Sequence, residues 1–197
     1  MNSSYTRASS ASRSLTTKEI VLAGLFSAIL AIISQISIPM PTGVPITIQV
    51  FGIALVGVIL GWRLGLLSTL VYILLGAVGL PIFANFRGGI SSLTGLTGGY
   101  IWSWPLMVVL CGIRPKQSNK RLQTSLIFVF ALLGLAVNEI IGCLQWAFLA
   151  GDMSMKAVFT YAMVAFIPKD TLITILAVIT GLQIRKILVR SGSLPSA

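Results

Sequence analysis

From Thr17 to Val189 the chain is apolar almost without interruption. A run of that length cannot form the inside of an ordinary soluble domain. Mean hydropathy is +0.97, with 56% hydrophobic and only 9% charged residues. A bilayer core is crossed by about 20 helical residues, so the chain has room for about six or seven spans and none for a separate soluble domain. Three of the charges nevertheless fall inside apolar segments: Glu139, Lys169 and Asp170. A charge at bilayer depth costs at least a few kcal/mol, so such residues mark a pathway or a ligand site by default. The competing reading is a structural Lys–Asp pair, or one lying in the headgroup layer.

The residue inventory excludes much chemistry. The chain has no histidine, which removes His-based metal sites and Ser-His-Asp catalysis. Cys111 and Cys143 stand singly in apolar stretches and read as packing residues rather than redox or metal ligands. There is no phosphate-binding GxxxxGK[ST], no HExxH, no GxSxG and no CxxC. With carboxylates isolated along the chain, a general acid/base pair is hard to assemble, so an enzyme is disfavoured and no cofactor is expected. Uphill transport would need a gradient or a partner that binds ATP. The net charge of +10 comes from basic residues clustered at segment ends. That pattern suits orientation and anionic lipid rather than nucleic acid.

Six hydrophobic segments follow one another. Residues 1–16 are Ser-rich and basic and read as a disordered cytoplasmic tail; 17–190 form an all-α, six-helix membrane domain; 191–197 are a C-terminal tail. The spans are expected at about Thr17–Ser37, Ile46–Leu60, Leu64–Leu80, Gly98–Ile113, Leu122–Leu149 and Ala157–Val189, the last bent at Pro168. On one side fall Arg7, Arg13, Lys18, Arg63, Arg114, Lys116, Lys120, Arg121, Arg185, Lys186 and Arg190; on the other only Arg87 and Lys156. That asymmetry places both termini in the cytoplasm.

Two outward segments, Pro39–Pro45 and Pro81–Thr97, are rich in Pro and Gly yet largely apolar. Irregular backbone near membrane depth survives only where protein or a cavity covers it. They are therefore expected to be partly re-entrant and to roof a pocket. On the first span, Ala23, Ser27 and Ala31 recur every fourth residue, as do Gly24 and Ala28. Each set lies along one helix face and permits close helix approach, either within the bundle or to a partner.

Several stretches carry a resemblance to a known family. PMPTGVPITIQVF (Pro39 to Phe51), LGWRLGLLSTLVYILLGAVGLPIFANF (Leu60 to Phe86), GLTGGYIWSWPL (Gly95 to Leu106) and IPKD (Ile167 to Asp170) resemble the biotin-transporter S-component family, often called BioY. The resemblance covers about Thr17 to Ile187. It implies a six-helix subunit of an energy-coupling-factor (ECF) vitamin transporter in the cell membrane. Such a subunit captures biotin from outside and joins a transmembrane coupling subunit and two ATPase subunits. It topples in the bilayer to deliver its pocket inward. Small-residue faces on the first helix of that family dock the coupling subunit, which assigns Ala23, Ser27 and Ala31 to partner docking. The resemblance also implies a Lys three residues after the late Asp; Ile173 stands there, and Lys169 offers a cation from another face.

Biotin's chemistry then nominates residues. A ureido ring brings one carbonyl and two N–H donors, and a buried polar atom left unpaired costs roughly 1–3 kcal/mol. Asp170 is the candidate acceptor for a ureido N–H. Asn85, Asn138 and Gln145 supply amides. Arg87 or Lys169 supplies the cation for the carboxylate. Phe83, Tyr100, Trp102 and Trp146 are the aromatic candidates to sandwich the ring. Trp104 is assigned to the interfacial belt, and Glu139 receives no role. The alternatives are an S component for another small vitamin, a membrane enzyme acting on lipid, or a scaffold subunit without ligand.

Overall fold

The computed structural model describes residues 15–151 and 153–194. The expected tails therefore fall mostly outside the described residues, at 1–14 and 195–197. The described chain contains α1 (Thr17–Ser34), β1 (Ser37–Ile38), β2 (Ile46–Thr47), α2 (Gln49–Leu60), α3 (Trp62–Ala77), a 3-10 turn at Ala84–Phe86, α4 (Ile90–Thr94), α5 (Gly98–Gly112), α6 (Lys120–Leu149), α7 (Met155–Ala165) and α8 (Ile167–Arg190). Among the described residues, only α1, α6 and α8 are long and apolar enough to cross a membrane by length and composition.

Local chemistry sets the helix starts. Thr16, at the end of the expected tail, is the N-cap of α1 and forms a capping box with Glu19. Asn119 closes the polar stretch before α6, its Oδ1 accepting from Arg121 N at 2.9 Å.

The short α2 lies at the centre, packed against α1, α3, α5 and α8. None of its residues is exposed, which explains a sequence apolar on every side. At its C-terminus the free carbonyls meet cations: Arg185 Nη1 donates to Ile59 O at 2.6 Å, and Arg114 Nη2 donates to Val58 O. Charges of that sign suit the negative end of a helix. At the surface, Lys18 Nζ donates to Gly192 O, joining the start of α1 to the turn after α8.

The last expected span differs from the structure. It is two helices, broken at Phe166 rather than bent at Pro168. A proline ring clashes with the carbonyl four residues earlier, so the disturbance falls on the preceding turn. The first outward segment also differs from a plain loop, because the residues flanking it pair as antiparallel strands, Ser37 with Thr47 and Ile38 with Ile46.

Candidate functional site

A cavity opens among α2, α5, α6, α8 and the two outward segments. Its empty space, with the open mouth included, is about 670 Å³. Val44 and Pro45 come from the first outward segment, Thr47 from β2 beside it, and Phe83, Ala84, Arg87, Ser92 and Thr97 from the second. Arg87 also borders a second, outer groove beside Phe86 and Leu96, which puts it at the mouth.

Glycines make room for the aromatic walls. At Gly76 and Gly142 a Cβ would collide with the rings of Phe83 and Tyr100 respectively. Phe83 and Trp104, both lining the cavity, meet edge to face at 6.2 Å between centroids. Tyr72 backs them, stacked on Trp104 at 5.6 Å with its hydroxyl donating to Ile82 O at 3.0 Å. The other aromatic pair is Tyr100 and Phe166, at 6.3 Å. Behind them lies Trp146, 6.0 Å from Phe166.

The polar residues form a short network. Asp170 is buried in the first turn of α8, where the positive end of the helix favours a carboxylate. Its Oδ1 accepts from Lys169 Nζ at 2.5 Å, and the same ammonium donates to Thr47 O at 2.6 Å. One cation thus ties the site carboxylate to the strand above it. On α6, Asn138 Oδ1 accepts from Ser103 Oγ at 2.9 Å, while Asn138 Nδ2 donates to Glu139 Oε1 at 3.1 Å. Glu139 lines the same cavity as Asp170. The fold therefore assembles the two carboxylates that the sequence keeps far apart.

Of the expected site residues, Asp170, Asn138, Phe83, Tyr100 and Arg87 line the cavity together. The others lie around it. Lys169 reaches it through Asp170 and Thr47. Asn85 accepts from Ser37 Oγ at 2.8 Å, fastening the two outward segments together. Gln145 Nε2 donates to Gly95 O at 2.9 Å and supports the second outward segment. Trp102 is 55% exposed, its Nε1 donating to Leu93 O at 3.1 Å. Trp146 is wholly buried behind Phe166.

Trp104, Glu139, Gln49, Thr47 and Phe166 line the cavity although the sequence nominated none of them for the ligand. Trp104 had a signal: it follows Tyr100 by four residues and shares its helix face. Instead of joining an interfacial belt, it is 3% exposed. Glu139 had one too, as an intramembrane carboxylate. Cys111 and Cys143 are free and buried, in keeping with packing. At the rim, Asn85 and Phe86 both adopt positive φ, 57° and 55°. That conformation is unusual for Phe, and Gln35 supports it by accepting the Phe86 N–H at 3.0 Å.

The expected docking face is turned inward. Ala23 and Ser27 are buried against α3, where Ser27 Oγ donates to Ser68 O at 2.8 Å and Ser68 Oγ to Ala23 O at 2.9 Å. Ala31 is half-buried. Small residues there serve close helix packing within the chain. Gly24 and Ala28, on the neighbouring face, are exposed.

Comparisons with known proteins agree with this architecture. A profile of the BioY family matches residues 6–190. A probable biotin transporter BioY of Pyrococcus horikoshii is 39% identical over 82% of this chain and 93% of its own. A biotin transporter BioY of Thermotoga maritima is 31% identical over 86% of this chain and 97% of its own. Among solved structures, the S-component for biotin from an ECF-type ABC transporter superposes with a TM-score of 0.75 at 26% identity, covering 88% of this chain and 95% of that one. With its apolar helices, this is a multi-pass membrane protein, and the chain belongs to the BioY family.

Proposed function

We propose that this chain is the biotin-binding specificity subunit of an ECF-type importer of the cell membrane, with both termini in the cytoplasm. The observation that carries the reading is the cavity itself. It combines a buried carboxylate in the first turn of α8 with two aromatic pairs and a cation at the mouth. Those features match the three parts of biotin. Asp170 accepts a ureido N–H as a charge-assisted hydrogen bond. Phe83, Trp104, Tyr100 and Phe166 enclose the apolar bicycle. The valerate carboxylate extends outward to Arg87, which faces both cavity and outer groove.

Lys169, Asn85 and Gln145 act here as positioning residues. They hold Asp170 and the two outward segments around the ligand. The chain has no P-loop, so the energy for accumulation comes from partner ATPase subunits through a coupling subunit. The exposed Gly24–Ala28 face of α1 is the surface we assign to that subunit. Arg114 and Arg185 meet at the C-terminus of α2, and Lys18 ties the start of α1 to the turn after α8; this basic character supports a cytoplasmic position for those helix ends.

The test is calorimetric titration of the purified protein in detergent with biotin. Saturable, stoichiometric binding without ATP or partners is expected. A flat titration of folded protein, beside saturable binding of another vitamin, would overturn the biotin assignment.

A further inference from the structure

We infer that Glu139 is a second ligand-contacting carboxylate, accepting a hydrogen bond from a ligand N–H through Oε2; this rests on the biotin reading above. Glu139 is 5% exposed and lines the cavity. Its Oε1 is held by Asn138 Nδ2 at 3.1 Å, and Asn138 is itself fixed by Ser103. Glu139 Oε2 is buried with no partner. Among the described residues, no other cavity-lining residue has a buried side-chain atom in that condition. A buried polar atom left unpaired is costly, and a cavity that orphans one is arranged to satisfy it with its occupant.

Ligand chemistry says which occupant group does so. The two N–H bonds of a cyclic urea flank the carbonyl and diverge, so one carboxylate cannot accept both in good geometry. Asp170 is on α8 and Glu139 on α6, two separate walls of the cavity. Asp170 already shares an oxygen with Lys169. Glu139 offers the second acceptor and so contributes to specificity for a ligand with two N–H donors. A ligand with a single donor would leave one buried carboxylate oxygen unpaired.

Glu139→Gln tests this with a fixed sign. Asn138 Nδ2 points at the Oε1 position, so the Gln carbonyl oxygen must sit there and its NH2 group must face the ligand. Donor then meets donor. Biotin affinity is expected to fall roughly ten- to hundredfold, with the melting temperature close to that of the wild type. Glu139→Asp, which keeps the charge but withdraws it by one methylene, is expected to weaken binding as well.

The second readout is the biotin-induced infrared difference spectrum of the wild type. A carboxylate stretch perturbed by biotin, lost in Glu139→Gln and displaced in Glu139→Asp, is expected. Unchanged affinity in Glu139→Gln overturns the proposal. Weaker binding with no Glu139 band responding to biotin also overturns it, because the residue is then structural. A responding protonated-acid band overturns the acceptor role in favour of a donor. Wild-type protein that ignores biotin overturns the biotin reading and this inference with it, whereas wild-type binding with an indifferent variant sinks this inference alone.

Discussion

Asp170 and Lys169 divide one task. The carboxylate faces the cavity, while the ammonium satisfies one of its oxygens and the carbonyl of Thr47. Asp170→Asn removes a charged hydrogen bond and presents an amide to a ligand donor. Biotin affinity is expected to fall roughly ten- to hundredfold by calorimetry. Lys169→Met leaves the buried carboxylate without its cation. Breaking a buried pair costs about 3–5 kcal/mol, and the 27% exposure of the Lys169 side chain lowers that figure here. Thermal melting should show the loss, and adding Asp170→Asn should restore part of it; strictly additive losses would mean the pair is not coupled. Asp170 was legible in the sequence because a lone carboxylate in an apolar helix needs an explanation. Glu139 was equally anomalous but stands beside Asn138, and adjacent helical residues diverge by about 100°. Only the fold reveals a cavity wall on α6 broad enough to include both.

Helices were legible where one periodic, apolar run carried its own punctuation. Gly98–Gly112 and Lys120–Leu149 end within about two residues of expectation, because Thr97–Gly98 and the Arg114–Arg121 loop mark them. Which face of α1 turns inward was not legible. Its two small-residue stripes have the same period, and only packing against α3 separates them. Substitutions separate them as well. Ala23→Leu forces a larger side chain into the α1–α3 contact and is expected to cost about 1–3 kcal/mol in thermal unfolding. A Cβ at Gly24 meets nothing within 4 Å, so Gly24→Leu should leave stability and biotin binding intact. In cells carrying the coupling and ATPase subunits, Gly24→Leu should abolish uptake; full uptake would place docking on another surface.

For the whole molecule, orientation is the property most directly tied to charge. Gln117→Cys, in the basic loop before α6, should be protected from a membrane-impermeant maleimide in intact cells. Ser91→Cys, exposed in the second outward segment, should react; the reverse pattern would invert the topology. The buried position of α2 has another consequence. A helix in contact with lipid must answer to bilayer thickness by tilting or by deforming the lipid around it. At 12 residues α2 is about 18 Å long, far short of the hydrocarbon depth, and none of its residues is exposed. It has no mismatch to resolve. The longer α1, α6 and α8 absorb changes in thickness, while the wall of the cavity built on α2 keeps its registry with the protein alone. The floor that Gln49 and Val50 give the cavity should therefore stay put whether the surrounding bilayer is thick or thin, and any dependence of ligand affinity on thickness should come through Asn138, Glu139 and Asp170 on α6 and α8.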